Sequence, residues 1–323
     1  MPMPRRRFLV TAAAASVTAA ATSASHSQSI GTGPSVSQRE LRAVLSQGTA
    51  LGVGPQIAAA GAASPMDLAE LIDKALAKGA GDEDAANLAL RAGLLLSEIT
   101  RDRRDGTDFI STGPVPAATK YPYTPALKSE YADLFQRAKI TASATPELTR
   151  AARFITSDSA KARYQEVESD TGVPWYVIGA LHYREANLNF MGHLHNGDFL
   201  LAQTVHVPAK RPPKPWPPAN VSDPRQLWRL SAKDALTDIT RIVHDWKLQR
   251  MCYAFEAYNG FGCRDHGIKS PYLWNYTNWY TRGGFPTDHH FDPNYQSKQA
   301  GVVAIINELK KFGASGVNIQ IEA

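Results

Sequence analysis

The stretch that decides the fold is PWYVIGALHYREANLNF, residues 174–190. It begins with a proline and two aromatic residues, then stays apolar for about two turns, a pattern that predicts a helix. Ile178, Leu181 and Glu185 are spaced three, four and seven residues apart, so they share one helix face. The carboxyl of Glu185 is therefore expected on the apolar side, near the C-terminal end of the helix.

Such a position disfavours the charged form of a carboxyl group. Poor solvation acts against the anion, and so does the negative end of the helix dipole. We therefore expect Glu185 to keep its proton near neutral pH, which is what a general acid requires. The pattern alone leaves open a surface glutamate on a frayed last turn.

Composition indicates a globular chain with one or two domains. The 323 residues are 43% hydrophobic and 20% charged, and the formal net charge is +5, which suits a chain with a sizeable core. Three arginines fall within residues 1–24, which contain no acid. The rest is mildly basic and has no Lys/Arg stripe interleaved with aromatics, so nucleic acid is not an expected partner.

The first residues, MPMPRRRFLVTAAAASVTAAATSASHS, are typical of an export signal. Residues 1–24 form a basic start and a short alanine-rich run, with cleavage expected near Ala24, and residues 25–37 form a linker. The RRRFL core resembles the twin-arginine signature. The apolar run is too short to span a bilayer, so we expect a periplasmic or extracellular protein without stable membrane insertion. The alternative is a disordered basic N-terminus.

Two cysteines, Cys252 and Cys263, are separated by a short loop. In an exported protein an even pair predicts a disulfide, and closing such a loop stabilises by about 3 kcal/mol. The alternative is two unrelated buried thiols.

Breaks rich in glycine, proline and charge divide the chain between about residues 105 and 125. Residues 38–120 are expected to form a helical N-terminal region with no chemical motif. Residues 125–312 form the second unit, followed by a tail at 313–323.

Several motifs of the second unit resemble, in order, the catalytic region of the lysozyme-like superfamily. They are HYREANLNF, HLHNGDFL, YNGFG at 258–262 and SPYLW at 270–274. The resemblance is to a bacterial and phage lysozyme family related to lytic transglycosylases and goose-type lysozymes. It implies a mainly α-helical domain with a short β-hairpin after the helix that carries the acid. One departure is Ala186, where those two related groups usually have serine.

The resemblance implies that peptidoglycan glycan strands, built from N-acetylmuramic acid and N-acetylglucosamine, are the substrate. Cleaving their glycosidic bonds needs a proton donor, here Glu185, and in hydrolases a second carboxylate. Asp198, in HNGD, is the candidate for that second group. Asn196-Gly197 is a tight-turn pair able to fold the chain back over the helix end. The alternative for Asp198 is a turn residue that caps its own backbone.

Other polar and aromatic residues near these motifs are expected to contact sugar. Aromatic faces pack on sugar rings, and Tyr-Asn at 258–259 resembles a motif that lines the transglycosylase cleft, although core packing is the alternative for the aromatic residues. The proline-rich segment 208–218 is expected to be a rigid flap at the cleft edge. The expected sugar contacts are His182, His195, Asn196, Tyr258, Asn259, Tyr272 and Trp274.

The sequence thus predicts a peptidoglycan glycosidase that uses no cofactor and no metal. A lytic transglycosylase, which needs one carboxyl and leaves an anhydro sugar, is the enzymatic alternative. A glycan-binding protein without catalysis is the alternative from another class. The histidine cluster formed by His182, His193, His195 and His206 leaves open a zinc site, and with it a zinc peptidase.

Overall fold

A computed structural model describes residues 38–54, 63–79, 81–103, 120–243, 245–312, 316–317 and 319–322. Across these residues the chain is mainly helical, as predicted, with twelve α-helices and one two-stranded sheet. The expected export signal and linker, residues 1–37, lie outside the described residues. None of the described helices is both long enough and apolar enough to cross a membrane.

Many of the described helices follow one another with short connections, and two long described segments are 187–223, after α7, and 275–301, between α11 and α12. Their bounds are α1 Gln38–Ala50, α2 Pro65–Lys78, α3 Glu83–Arg103, α4 Pro125–Gln136, α5 Thr145–Ile155, α6 Asp158–Thr171, α7 Trp175–Ala186, α8 Pro224–Ile242, α9 Leu248–Asn259, α10 Gly262–Asp265, α11 Pro271–Trp274 and α12 Val302–Lys311. A 3₁₀ turn at Ala142–Ala144 precedes α5.

Local capping explains where several of these helices begin. Helix α2 starts at Pro65, and Asp67 accepts a 2.6 Å hydrogen bond from the backbone N–H of Ser64. Asp82 accepts from the backbone N–H of Ala85 at the start of α3. The hydroxyl of Thr124 caps α4 in the same way. Each cap satisfies a backbone donor that has no partner within the helix.

Helix α7, the helix of the opening stretch, lies at the centre of the molecule. All twelve of its residues are buried, and α3, α5, α6 and α12 pack around it. It ends at Asn187, which adopts a left-handed conformation with φ of 48°. Because every face of α7 is buried, Glu185 is enclosed by protein and not exposed on one side of the helix.

Helix α3 of the N-terminal region packs against the turn that follows α7. The amide of Asn189 donates to the carbonyl of Gly93 at 2.9 Å and to the hydroxyl of Ser97 at 3.1 Å. The amide of Asn187 donates to the hydroxyl of Thr100 at 3.0 Å. Helix α3 therefore forms one wall around the end of α7.

Ion pairs also join the N-terminal region to the second unit. Asp67 of α2 accepts from Arg150 of α5 at 2.6 Å, and Asp73 pairs with Arg163 of α6 at 3.1 Å. The predicted division between the units falls largely on residues 104–119, which lie outside the described residues. The helices on both sides of it share a single hydrophobic core.

The β-hairpin is present, but it does not directly follow the acid's helix as the resemblance implied. Strands β1 (Gly284–Thr287) and β2 (His290–Asp292) pair antiparallel about 100 residues later in the chain. After α7 there is one isolated antiparallel bridge, between Gly192 and Phe199. Around this bridge the N–H of His193 donates to the carbonyl of Asp198 and the N–H of Leu200 donates to the carbonyl of Met191, so the segment forms only a minimal ladder.

The two cysteines do not form the expected disulfide in this structure. Cys252 lies on α9 and Cys263 on α10, and both are buried and not bonded to each other. The Cys252 side chain points into the core near Glu256, where burial raises the pKa of its thiol. The alternative of two buried thiols therefore describes the structure, and the disulfide prediction is corrected.

Close packing at Gly93 yields a prediction about α3. A Cβ atom at Gly93 would lie 2.3 Å from the Cβ of Met191, so Gly93→Ala has to push the two segments apart. Alanine has a higher helix propensity than glycine, but the steric cost of overpacking should be larger. The free energy of unfolding should therefore fall by about 1–3 kcal/mol. Urea unfolding measures this.

The matched control is Gly81→Ala, because a Cβ there meets no described atom within 4 Å. It should change stability by less than about 0.5 kcal/mol. Equal effects of the two substitutions would mean that α3 does not pack tightly on Met191.

Candidate active site

Glu185 is buried at the last turn of α7, with 5% of its surface exposed. Its Oε1 accepts a 2.7 Å hydrogen bond from the phenol of Tyr272 on α11. Burial and the nearby Glu185 carboxyl raise the pKa of Tyr272 well above its usual value, so the phenol stays protonated and acts as the donor. The two groups form a buried pair.

Arg184 holds Tyr272 from the other side. Its guanidinium lies 4.6 Å from the centre of the Tyr272 ring, within the range of a cation–π contact. The same guanidinium donates to the carbonyls of Gln299 and Ala300 at 3.1 and 3.2 Å. Consecutive residues of α7 therefore supply the carboxyl and the group that orients its partner.

The Asn196-Gly197 turn folds back over the helix end, as predicted. The N–H of Gly197 donates to the carbonyl of His193 at 2.8 Å, and the N–H of His193 donates to the carbonyl of Asp198 at 2.7 Å. Gly197 has φ of 76°, and a Cβ there would lie 2.6 Å from the backbone oxygen of Glu185. Only glycine fits this conformation and this contact without strain.

Asp198 organises the loop that follows the turn. Its carboxylate accepts from the N–H groups of Val205 and His206, from the imidazole Nδ1 of His206 and from the amide of Asn196. Burial raises the pKa of Asp198, but the hydrogen bonds from His206 outweigh it and lower the pKa to about 2. The contacts are those of a residue that caps its own loop.

Asp234 of α8 is a site residue that the sequence did not reveal. Its carboxylate binds Nε2 of His195 at 2.9 Å and takes two hydrogen bonds from Arg211, at 2.9 and 2.8 Å. One carboxylate thus joins the turn, the proline-rich segment and α8. No local sequence motif identifies Asp234 as a site residue, because its hydrogen-bond partners Arg211 and His195 lie 23 and 39 residues away in sequence.

Two of the expected sugar contacts lie in the core instead. His182 is fully buried, and its Nδ1 is 2.9 Å from the phenol of Tyr164. Trp274 is 1% exposed. A ring enclosed on both faces cannot stack on a sugar, so both assignments as direct sugar contacts are corrected. Motif spacing places residues in order but does not show which face each one presents.

Among the other expected contacts, Tyr258 and Asn259 are half-buried at the end of α9. The phenol of Tyr258 donates to the carbonyl of Leu194 at 3.0 Å. This contact brings the Tyr-Asn motif next to the turn that covers Glu185. Tyr272 is also enclosed, at 2% exposed, so its assignment as a direct sugar contact is corrected as well: its phenol bonds to the Glu185 carboxyl.

The histidine cluster is hydrogen-bonded within the protein. His193 contacts the hydroxyl of Ser231 at 2.6 Å and the carbonyl of Ala202 at 2.7 Å. His206 bonds to Asp198 and His195 to Asp234. Over the part of the chain that the structure describes, no three His, Cys, Asp or Glu residues are grouped so that they could hold a metal ion.

No family model, curated protein or solved structure matches this chain. The class that its own features define is a mainly helical protein with a buried glutamic acid at the end of its central helix. Support for a function therefore comes from the geometry around Glu185 and from the order of the sequence motifs.

The Gly197 contact leads to a prediction about the turn. Gly197→Ala places a Cβ against the Glu185 backbone oxygen in a left-handed conformation, and it should lower the free energy of unfolding by about 3 kcal/mol. Gly267→Ala is the control, since φ is 68° there and a Cβ meets no described atom within 4 Å. Denaturant unfolding should show a loss of about 1 kcal/mol for the control. Equal losses would contradict a tight contact at the helix end.

Two buried histidines yield a prediction about acid stability. Burial lowers the pKa of His182 to about 3 and that of His193 to about 4, against about 6.5 in an unfolded chain. Between those values the unfolded chain binds more protons, so stability is full above about pH 6.5 and falls as the pH drops towards 4. Thermal unfolding across this range measures the slope.

His193→Gln should make that slope shallower, whatever it does to the stability at pH 7. His289→Gln is the control, because His289 is exposed at the hairpin, and it should leave the slope unchanged. An unchanged slope in the His193 variant would show that His193 is not held neutral by burial.

Proposed function

We propose that this protein is a peptidoglycan glycosidase in which Glu185 donates the proton to the leaving oxygen. The observation that carries the proposal is the buried Glu185 carboxyl at the end of α7, bonded to Tyr272, with the Asn196-Gly197 turn packed against the backbone of Glu185. The ordered motifs that resemble the lysozyme-like superfamily supply the substrate class. Export through the N-terminal signal is part of the same proposal, because the substrate lies outside the cytoplasm.

The hydrogen bond from Tyr272 gives the two oxygens of Glu185 different roles. A phenol O–H that donates to Oε1 leaves this oxygen as the acceptor when the carboxyl is neutral. The acid proton then sits on Oε2, the oxygen that would deliver it to the glycosidic oxygen. The Tyr272 hydrogen bond stabilises the carboxylate that forms once the proton has been donated.

The contacts of Asp198 favour the lytic transglycosylase as the second candidate. A hydrolase of the two-carboxylate type needs its second carboxylate for water or for the sugar. In this structure the Asp198 carboxylate receives hydrogen bonds from Asn196, Val205 and His206. A transglycosylase needs one acid and uses a hydroxyl of the sugar itself as the nucleophile, so it places no such demand on Asp198. A glycan-binding protein without catalysis is the remaining alternative.

Glu185→Gln tests the catalytic assignment. Glutamine keeps the shape and can still accept from Tyr272, but it cannot donate an acid proton. Release of soluble fragments from purified peptidoglycan should fall by about 100-fold or more, with circular dichroism unchanged and the protein still bound to the wall material. Glu166→Gln, at an exposed position on α6, is the matched control and should retain full activity.

A folded Glu185→Gln protein that digests peptidoglycan as fast as the wild type would refute the assignment. Mass spectrometry of the products separates the two enzymatic candidates, since anhydro ends identify a transglycosylase. Asp198→Asn adds a second comparison: a loss as large as that of Glu185→Gln supports a two-carboxylate hydrolase. A mild loss supports the single-acid reaction.

A further inference from the structure

The loop at residues 199–222, here called the basic loop, carries positive charge and no acid. Its cationic residues are Lys210, Arg211 and Lys214, and it contains neither aspartate nor glutamate. Arg211 is used internally, in its two hydrogen bonds with Asp234. Lys210 and Lys214 are both exposed. The loop therefore presents two lysines to solvent on a segment that offers them no carboxylate.

The backbone of Lys210 is held in a conformation that a residue with a side chain rarely adopts. Its φ is 63°, in the left-handed region. Its N–H donates to the carbonyl of Thr204 at 2.7 Å, and its carbonyl accepts from the amide of Gln203 at 3.1 Å. The next N–H, that of Arg211, donates to the hydroxyl of Thr204 at 2.8 Å. Strain of this kind persists where the surroundings enforce it, and it often marks a functional position.

The basic loop rests on the turn that covers the end of α7. Asp198 accepts from the N–H groups of Val205 and His206 at 2.8 and 3.0 Å, and Gly197, next to it, contacts the backbone of Glu185. Farther along, the indole of Trp216 donates to the carbonyl of Leu200 at 2.8 Å. The lysines thus belong to the same tightly bonded unit as the turn over the candidate acid.

We propose that the basic loop binds the carboxylates of the peptide stems on N-acetylmuramic acid and so favours peptide-bearing strands over bare glycan. This inference rests on the proposed function. Lysine is a compact point charge that suits exposed carboxylates. Where N-acetylmuramic acid carries a stem, the stem's carboxylates lie near the bond to be cleaved. Val205, which is 74% exposed on the same loop, offers an apolar contact for the aliphatic part of a stem.

The test is a binding measurement in the Glu185→Gln protein, which should not digest its ligand. Lys210→Asn combined with Lys214→Gln removes both charges, and asparagine tolerates the left-handed backbone at residue 210. Co-sedimentation compares insoluble peptidoglycan that carries stems with the same material after an amidase has removed them. Both preparations are free of attached phosphate polymer.

The double variant should bind stem-bearing peptidoglycan about fivefold more weakly at low salt and bind bare glycan within about twofold of the parent. The difference should disappear near about 0.5 M salt, because exposed charges are then screened. Lys74→Gln combined with Lys298→Gln, at exposed positions outside the loop, removes the same charge and should leave binding unchanged.

Equal losses on both preparations, or no loss on either, would overturn the proposal. Lysine-dependent binding that appears only when phosphate polymer is attached to the wall would overturn the assignment to carboxylates. The outcome is separate from that of the glycosidase assay. If the wild-type protein shows stem-dependent binding but cleaves nothing, the loop inference is supported and the proposed activity is refuted. If it cleaves peptidoglycan but its binding does not depend on the lysines, the proposed activity is supported and the loop inference is refuted.

Discussion

The hydrogen bond between Tyr272 and Glu185 is the contact on which the arrangement of the site depends. A carboxyl inside a core is costly unless it is neutral or hydrogen-bonded, and Tyr272 supplies the bond at 2.7 Å. The phenol must itself be held in place, which Arg184 does from the next residue of α7. Arg184 in turn donates to the carbonyls before α12. The last turn of α7 thus fixes both α11 and the approach to α12.

The N-terminal helices are part of the same construction. Asn187 and Asn189 end α7 in a sharp turn whose amide groups would be buried without partners, and α3 supplies those partners through Gly93, Ser97 and Thr100. Leaving a buried polar group without a hydrogen bond costs free energy. The packing of α3 against the turn avoids that cost. Helix α3, which carries no recognisable chemical motif, therefore encloses the end of the central helix.

Asp234 plays a corresponding part on the other side of the turn. Burial raises the pKa of its carboxyl, and hydrogen bonds from His195 and Arg211 lower it below the usual value, so the group remains charged. Its position lets one anion hold two segments that have little regular structure of their own. A long loop with few backbone ladders is ordinarily mobile. Side-chain carboxylates, Asp198 and Asp234, give this one its shape.

By itself the sequence determined the helical class and the turn at Asn196-Gly197, and it predicted Glu185 on the apolar face of its helix. These follow from spacing and turn chemistry, which are local. Only the tertiary structure decided that Tyr272 bonds to Glu185, that Asp234 meets His195, that His182 and Trp274 are enclosed, and that the cysteines remain unbonded to each other. Those outcomes depend on which faces of distant segments pack together. A periodic sequence pattern shows which face of a helix is apolar, but not which other segment packs against that face.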